Sequence, residues 1–276
     1  MTGLVAAIKL DVAEILRSRW LLFTGAVYAV LVATFVVVGT RESAVFGFTG
    51  MGRVLLSFAH ALVVVLPLLA LTATGQVVGR ARDDGTLELL LGHGVGRTAY
   101  LGGVAIVRFT VLLAPLALLL VGSALFARIA WHQAIPWIVV GRSLLACAAL
   151  LVAFTGLGMA VSAFVREPAK GIVCVMILWA LGVALLDFGV IGAMLRFHVS
   201  PRLVFVLAAL NPVEAARLAL LSGVTPDLAS LGQVGFYLAT RVGPVGLLAA
   251  GVAWPVLVGV ASFGAALSRF RHADVV

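Results

Sequence analysis

Charged residues are scarce in this chain of 276 residues, of which 11% are charged and 63% are hydrophobic. A soluble domain carries about a quarter charged residues and about half apolar ones. The composition therefore excludes a soluble globular protein. The basic excess, a net charge of +8 at pH 7, fits arginines at helix ends that meet lipid headgroups. We expect membrane lipids as partners and no nucleic acid.

Cysteine and lysine are scarcer still. Cys147 and Cys174 both lie inside apolar runs without motif spacing, so no disulfide framework is predicted. A phosphate-binding loop needs Gly-Lys-Ser/Thr, and neither Lys9 nor Lys170 follows a glycine. A His-Glu-x-x-His motif and paired intramembrane aspartates are lacking as well. We therefore predict that the chain is not an enzyme, and that it binds no metal or cofactor itself.

What the chain has instead is long apolar runs. About 20 residues of helix cross a hydrocarbon core of about 30 Å, and no alternating barrel pattern competes. The predicted fold is all-α, a single polytopic transmembrane domain over 1–276. Arg108 and Arg142 lie within about two turns of a span end, from which they can reach the headgroups. The six predicted membrane spans cover 20–38, 56–78, 101–127, 137–165, 171–189 and 244–267.

The distribution of basic residues predicts the orientation, because Lys and Arg favour the cytoplasmic side. With the N-terminus inside, the cytoplasmic segments hold ten basic residues in 55 positions, and the opposite segments hold seven in 80. We therefore expect both termini in the cytoplasm.

Two segments outside the spans have helical patterns of their own. In residues 3–19 the apolar side chains recur at helical spacing, which predicts an amphipathic helix on the cytoplasmic membrane face. In 200–223, two stretches too short to span, 202–210 and 212–222, predict a re-entrant hairpin at the outer side. The second stretch has the signals of a capped helix, since Asn211 suits the N-cap, Pro212 the first turn and Glu214 a capping box. Arg217 belongs to the same hairpin.

The charged run "GRARDDGTLELLLGHGVGR" (79–97) lies between the second and third spans. It predicts a short helix from Thr86 to Leu91, with Asp83 and Asp84 capping its amides. Leu87, Leu90 and Leu91 would form one apolar face. A helix this short is not stable alone in water, so the face must rest on the bilayer or on a partner, and the adjacent acids favour a partner.

This run resembles the coupling-helix segment of type-2 ABC transporter permeases, in which an acidic stretch precedes Gly-Thr-Leu-Glu, a leucine pair and a basic residue. The N-terminal helix, the six spans and the hairpin are similar to that family too. The resemblance implies a permease that dimerises with a second copy and binds a cytoplasmic ABC ATPase, which carries ATP and Mg. It also implies the bacterial inner membrane and export of a substrate. The implied ATPase-coupling residues are Asp83, Asp84, Gly85, Thr86, Leu87, Glu88, Leu90, Leu91 and Arg97.

Several local stretches are similar to one branch, the permease subunits of the transporter that matures nitrous oxide reductase. They are "DVAEILRSRWLL" (11–22), "VFGFTG" (45–50), "VLPLLAL" (65–71) and "LNPVEAARL" (210–218). This resemblance implies a periplasmic solenoid protein as a further partner. It also implies a sulfur species as cargo, destined for a copper-sulfide centre.

Two other classes remain as alternatives. An ion-coupled carrier usually keeps ionisable groups at the bilayer centre and shows repeats, and neither is visible here. A membrane anchor or immunity protein that transports nothing would bury the same helices, so the sequence separates it only weakly from a permease.

Overall fold

The computed structural model describes residues 3–46, 48–131, 137–185, 210–224 and 243–272. Every regular element within these ranges is helical, as the sequence predicts. A π-helical turn, Leu181–Leu185, follows α8 directly. In chain order the helices are α1 (Gly3–Arg17), α2 (Trp20–Phe46), α3 (Phe48–Thr74), α4 (Val77–Asp83), α5 (Thr86–Gly92), α6 (Arg97–Trp131), α7 (Trp137–Phe164), α8 (Pro168–Ala180), α9 (Pro212–Val224) and α10 (Gly243–His272).

The described part of the chain holds four helical segments long and apolar enough to cross a membrane, which confirms a multi-pass membrane protein. α1 and α2 form a bent pair with 66° between them, which adds a fifth span if the pair counts as one. α8 is shorter, and the end of the predicted span 171–189 lies outside the described residues. The count of six therefore stays a prediction. The four long segments are Ala61–Asp83, Arg97–Leu125, Trp137–Phe164 and Gly243–His272.

α7 forms the centre of the helix bundle and packs against α3, α9 and α10. α7 contacts α10 at a point where Gly156 of α7 faces Gly259 of α10. A Cβ atom on Gly156 would collide with the carbonyl of Gly259, and a Cβ on Gly259 would collide with the carbonyl of Val152. The two backbones therefore lie in direct contact, the arrangement by which membrane helices gain van der Waals contact without a hydrophobic driving force.

The predicted span 56–78 is not one continuous helix. α3 ends at Thr74 and α4 begins at Val77. Gly75 occupies the break, where a Cβ would lie 2.5 Å from the side chain of Val175. The amide of Val78 donates to the Ser162 hydroxyl of α7 over 2.8 Å, and this bond satisfies one of the unpaired amides at the start of α4. Close packing thus surrounds the two-residue break, while Ala61–Asp83 still counts as one membrane-spanning segment.

α9 confirms the second helix of the predicted hairpin. The side-chain oxygen of Asn211 accepts a hydrogen bond from the Val213 amide over 3.0 Å, and Pro212 is the first helical residue. The Glu214 carboxylate lies 2.6 Å from the guanidinium of Arg217, so it forms a salt bridge within the helix. The first predicted helix lies outside the described residues except for its last position, and the re-entrant geometry stays a prediction.

Candidate coupling site

A helix of seven residues, α5, occupies the middle of the predicted coupling segment 83–97. Gly85 precedes it with φ of 68°, and Gly94 follows it with φ of 80°. Only glycine adopts this left-handed conformation without a steric penalty. Two glycines therefore set the ends of α5, within one residue of the prediction.

Asp83 and Asp84 do not lie where the sequence predicts them. Asp83 is the last residue of α4, and the amide of Asp84 donates to the carbonyl of Arg80 over 2.9 Å. Gly85 occupies the position directly before α5, and no side chain forms a capping hydrogen bond at the start of α5. Predicting that the two acids cap α5 was wrong, because the left-handed turn requires glycine at the capping position. Both acids are instead exposed at the end of α4.

The leucines of α5 divide between a buried and an exposed side. Leu87 is fully buried, and Leu90 and Leu91 are half-buried, which confirms the predicted apolar face. This face rests on the chain's own helices rather than on the bilayer or a partner. The side that remains open to a partner carries Glu88 and Leu89, and Leu89 is 65% exposed.

Beneath Leu87 lies a buried cluster to which five other helices contribute, and we call it the α5 cluster. Both the first helix and the last helix of the described chain reach it, so α5 lies at the same end of the molecule as both. Through Leu87, α5 shares this cluster with α6, α7 and α10, three of the long apolar helices. The members besides Leu87 are Ala7, Val78, Val95, Tyr100, Leu101, Val104, Met159, Ala163, Ala266 and Phe270.

Arg97 connects the end of the coupling segment to α10. Its guanidinium donates to the carbonyl of Phe270 over 3.2 Å and to the carbonyl of Arg271 over 2.7 Å. Carbonyls in the last turn of a helix lack partners within the helix, and a cation there also complements the helix dipole. The basic residue of the motif therefore caps the last helix from the first residue of α6.

Arg108 does not extend toward headgroups as predicted. Its guanidinium donates to both carboxylate oxygens of Asp11 on α1, over 2.7 and 3.2 Å, and lies 3.5 Å from Glu14. Asp11 is 2% exposed and Arg108 is 9% exposed. The correction follows from the packing of α1 on α6, where a Cβ on Gly103 would lie 2.9 Å from that of Ala7. The helices approach so closely that the two charges meet.

This ion pair borders a narrow polar cleft of ≈ 70 Å³ that Gln76, Arg80 and Asp84 also line. Burial raises the pKa of the Asp11 carboxyl above its ordinary value, because the loss of solvent around the charged form outweighs the attraction of Arg108. Removing either partner would leave the other charge poorly solvated. The pair therefore fastens α1 to the helix that follows the coupling segment.

The roles of Asp11 and Ser162 were not predicted from the sequence, and Leu89 was matched to the leucine pair of the motif without its exposure being predicted. Asp11 is spaced four residues from both Ala7 and Ile15, so a carboxylate in the middle of a buried face was the signal that it has a partner. Leu89 falls outside the predicted apolar face, and that position marks it as exposed. Ser162 has no local signal, because only the tertiary approach of α4 gives its hydroxyl a role.

The described residues define a multi-pass helical membrane protein with a short, glycine-bounded helix between two spans, and the comparison with known proteins gives its family. The chain belongs to the ABC-2 family of transporter proteins, whose family model matches residues 5–275. It is therefore the permease component of an ABC transporter, a transport subunit rather than a catalytic one.

Among curated relatives it is similar to two proteins named probable ABC transporter permease protein NosY. The protein from Pseudomonas aeruginosa is 29% identical over 230 residues, which cover 81% of this chain and 82% of the relative. The protein from Stutzerimonas stutzeri is 27% identical over 229 residues, which cover 80% and 82% respectively.

Proposed function

We propose that this permease is driven by a separate cytoplasmic ABC ATPase, and that α5 is the surface on which the ATPase acts. The observation that carries the proposal is the division of α5 into two sides. Glu88 and Leu89 are open to a partner, while Leu87 anchors the opposite side in the α5 cluster. A force on the open side is passed to the spans without an intervening flexible loop.

The coupling residues then have distinct roles. Gly85 sets the start of α5 at the end of α4, and Thr86 opens the helix. Asp83, Asp84 and Glu88 present exposed negative charge to a partner. The half-buried Leu90 and Leu91 hold the helix on the bundle, and Arg97 joins it to α10.

ATP and Mg reside on the partner, and closure of two ATPases moves two copies of this subunit between inward-open and outward-open states. Such a switch requires that the partner contact α5 differently in the two states. The two copies form the export pathway, and both termini lie on the ATPase side.

Replacing Leu89 with Asp tests the role of α5. Because Leu89 is 65% exposed, the substitution should change folding stability by about 0.5 kcal/mol or less. A charge in a desolvated contact should nevertheless weaken ATPase binding by about tenfold or more. The measurement is co-purification of the ATPase with tagged permease, together with the ATP hydrolysis rate of the complex in lipid vesicles.

Two control variants make this result interpretable. Leu89→Met keeps an apolar side chain and should bind the ATPase normally. Ser268→Asp adds the same charge to an exposed position of α10 near the same end of the bundle, and it should bind normally as well. Leu87→Asp is unsuitable, since it would place a charge inside the α5 cluster. Normal co-purification of the Leu89→Asp protein would contradict the proposal.

We further propose that the transporter belongs to nitrous oxide reductase maturation and exports a sulfur species for the copper-sulfide centre. The support is the similarity to two NosY permeases along about four fifths of the chain, together with the matching stretches 11–22, 45–50, 65–71 and 210–218. A periplasmic solenoid protein would then dock at the outer side, near the hairpin residues Asn211 to Arg217.

Complementation tests this assignment. A Stutzerimonas stutzeri strain without NosY, supplied with this chain and its own ATPase, should again produce nitrous oxide reductase with a copper-sulfide centre. The centre is read out by visible absorption of the purified reductase, and nitrous oxide consumption by the cells gives a second measurement. The same strain supplied with the Leu89→Asp variant is the control for coupling. The chain could bind the ATPase in a way that Leu89→Asp disrupts and still restore no copper-sulfide centre. That result would assign the transporter to a different cargo.

A further inference from the structure

Three polar side chains of α2 lie on one face of the helix and have their polar atoms buried without a partner. They are Trp20, Thr24 and Tyr28, and we call them the α2 polar stripe. Residues four apart lie on the same face of a helix, and this stripe extends about 12 Å along the axis. The indole nitrogen of Trp20 and the two hydroxyl oxygens are buried and make no hydrogen bond, and Thr24 and Tyr28 are 0% exposed.

Thr24 differs from four other threonines in the described helices, and it resembles Thr155 of α7, whose buried hydroxyl also has no hydrogen-bond partner. The four, Thr34, Thr72, Thr74 and Thr110, donate to the carbonyl four residues earlier over 2.7 to 2.8 Å. That local bond satisfies a hydroxyl in apolar surroundings. Thr24 does not make it, although it is completely buried. Its hydroxyl is therefore not serving its own helix.

The stripe faces the interior of the subunit. α2 packs against α3 and α6, and Tyr28 belongs to a core cluster with Leu66, Leu112 and Cys147. The opposite side of α2 is exposed, with Leu22 and Val30 at 71% and 65%. Polar groups enclosed by apolar side chains are rare in native structures, because they lose their bonds to water and gain none in return.

We propose that the α2 polar stripe is one wall of a binding site for a small hydrogen-bonding solute, closed in this conformation and opened when α2 separates from α3 and α6. The inference rests on the proposed function, since a permease must expose a buried surface during its cycle. Separation of α2 would give all three polar atoms partners at once, which accounts for their common face.

The chemistry of the stripe limits the solute. The indole nitrogen of Trp20 only donates hydrogen bonds, and the hydroxyls of Thr24 and Tyr28 donate or accept. The side chains around Tyr28 in the core cluster are apolar, and a charged group is costly in such surroundings. The site suits a small neutral molecule that carries hydrogen-bond acceptors.

Cys147 reports on the opening, because it is 1% exposed in the same cluster as Tyr28. The chain has two cysteines, so Cys174→Ser leaves Cys147 as the only thiol. This variant is reconstituted in lipid vesicles with the ABC ATPase that co-purifies with it, and it is labelled with N-ethylmaleimide. Labelling should be about tenfold faster during ATP turnover than without nucleotide. In the converse variant, Cys147→Ser, the half-buried Cys174 of α8 should react at the same rate in both conditions.

The hydroxyls are tested in the Cys174→Ser background with Thr24→Val and Tyr28→Phe, which keep the side-chain shapes. If the hydroxyls are solvated only when α2 separates, removing them favours the closed form. The acceleration by ATP should then fall severalfold, while the thermal midpoint stays equal or rises. Thr34→Val is the matched control, since that threonine is exposed and bonded to its own helix, and it should change neither quantity.

The possible outcomes separate this inference from the proposed function. A complex that hydrolyses ATP but labels Cys147 at one rate throughout overturns the site and leaves the permease role intact. Acceleration that survives in the Thr24→Val and Tyr28→Phe variants also overturns it, because the stripe would not face the opened space. If no ATPase binds the chain, the proposed function fails, and the site falls with it.

Discussion

At the scale of single residues, the ion pair between Asp11 and Arg108 has the clearest energetic consequence. The two residues are 97 positions apart, and two hydrogen bonds join them in a buried contact. A pair of this kind contributes little relative to apolar side chains of the same size, because both charges lose solvent. Breaking it is costly, because the remaining charge cannot recover that solvent.

We therefore expect Asp11→Asn to reduce the free energy of unfolding by about 3–5 kcal/mol. Replacing both charges, Asp11→Leu with Arg108→Met, should cost less than the single change. Glu14→Gln should cost about 1 kcal/mol or less, since the Glu14 side chain is 62% exposed and lies 3.5 Å from Arg108. Thermal unfolding of the purified permease in detergent measures all three. Equal losses in the single and double variants would show that α1 is not held by this pair.

At the scale of helices, the sequence predicts elements well and contacts between them poorly. Hydropathy averages over about 20 residues, so the runs behind α6, α7 and α10 appear whatever their partners are. The ends of α5 were predictable too, because Gly85 and Gly94 are local signals. By contrast, the contact between Gly156 and Gly259 depends on where two helices cross, and 30 glycines in the chain give no means of selecting them.

The break between α3 and α4 has the same explanation. An apolar run continues through Gly75 into α4, and nothing in its composition stops the helix there. At the break, Val175 occupies the space beside Gly75 so that only glycine fits, and Ser162 of α7 supplies a bond for Val78. The direction of Leu87 was likewise decided by tertiary packing, since the same leucine face would suit a partner protein. The position of the candidate site was thus predicted from the sequence. Which side of α5 is buried and which is exposed could be read only from the structure.

At the scale of the whole molecule, the α5 cluster fixes which parts of the chain share one end. Ala7 of α1, Leu87 of α5 and Phe270 of α10 all belong to it. The N-terminal helix, the coupling segment and the end of the last described helix therefore lie together. An orientation measured for any one of them applies to the other two, whatever the total number of spans.

We expect the end of the molecule that holds α1, α5 and the end of α10 to face the cytoplasm. The segments at that end carry more basic residues than the segments on the opposite side, and short basic segments favour the cytoplasm. Single cysteines in a chain with Cys147→Ser and Cys174→Ser measure this. With Glu88→Cys and with Ser268→Cys, a membrane-impermeant maleimide should react in inverted vesicles and not in intact cells. Gln133→Cys, in the predicted outer segment 128–136, should show the opposite pattern. Reaction of the first two in intact cells would place α5 outside, where no ATPase could reach it. Opposite results for Glu88→Cys and Ser268→Cys would instead contradict the placement of α5 and the end of α10 at one end of the molecule.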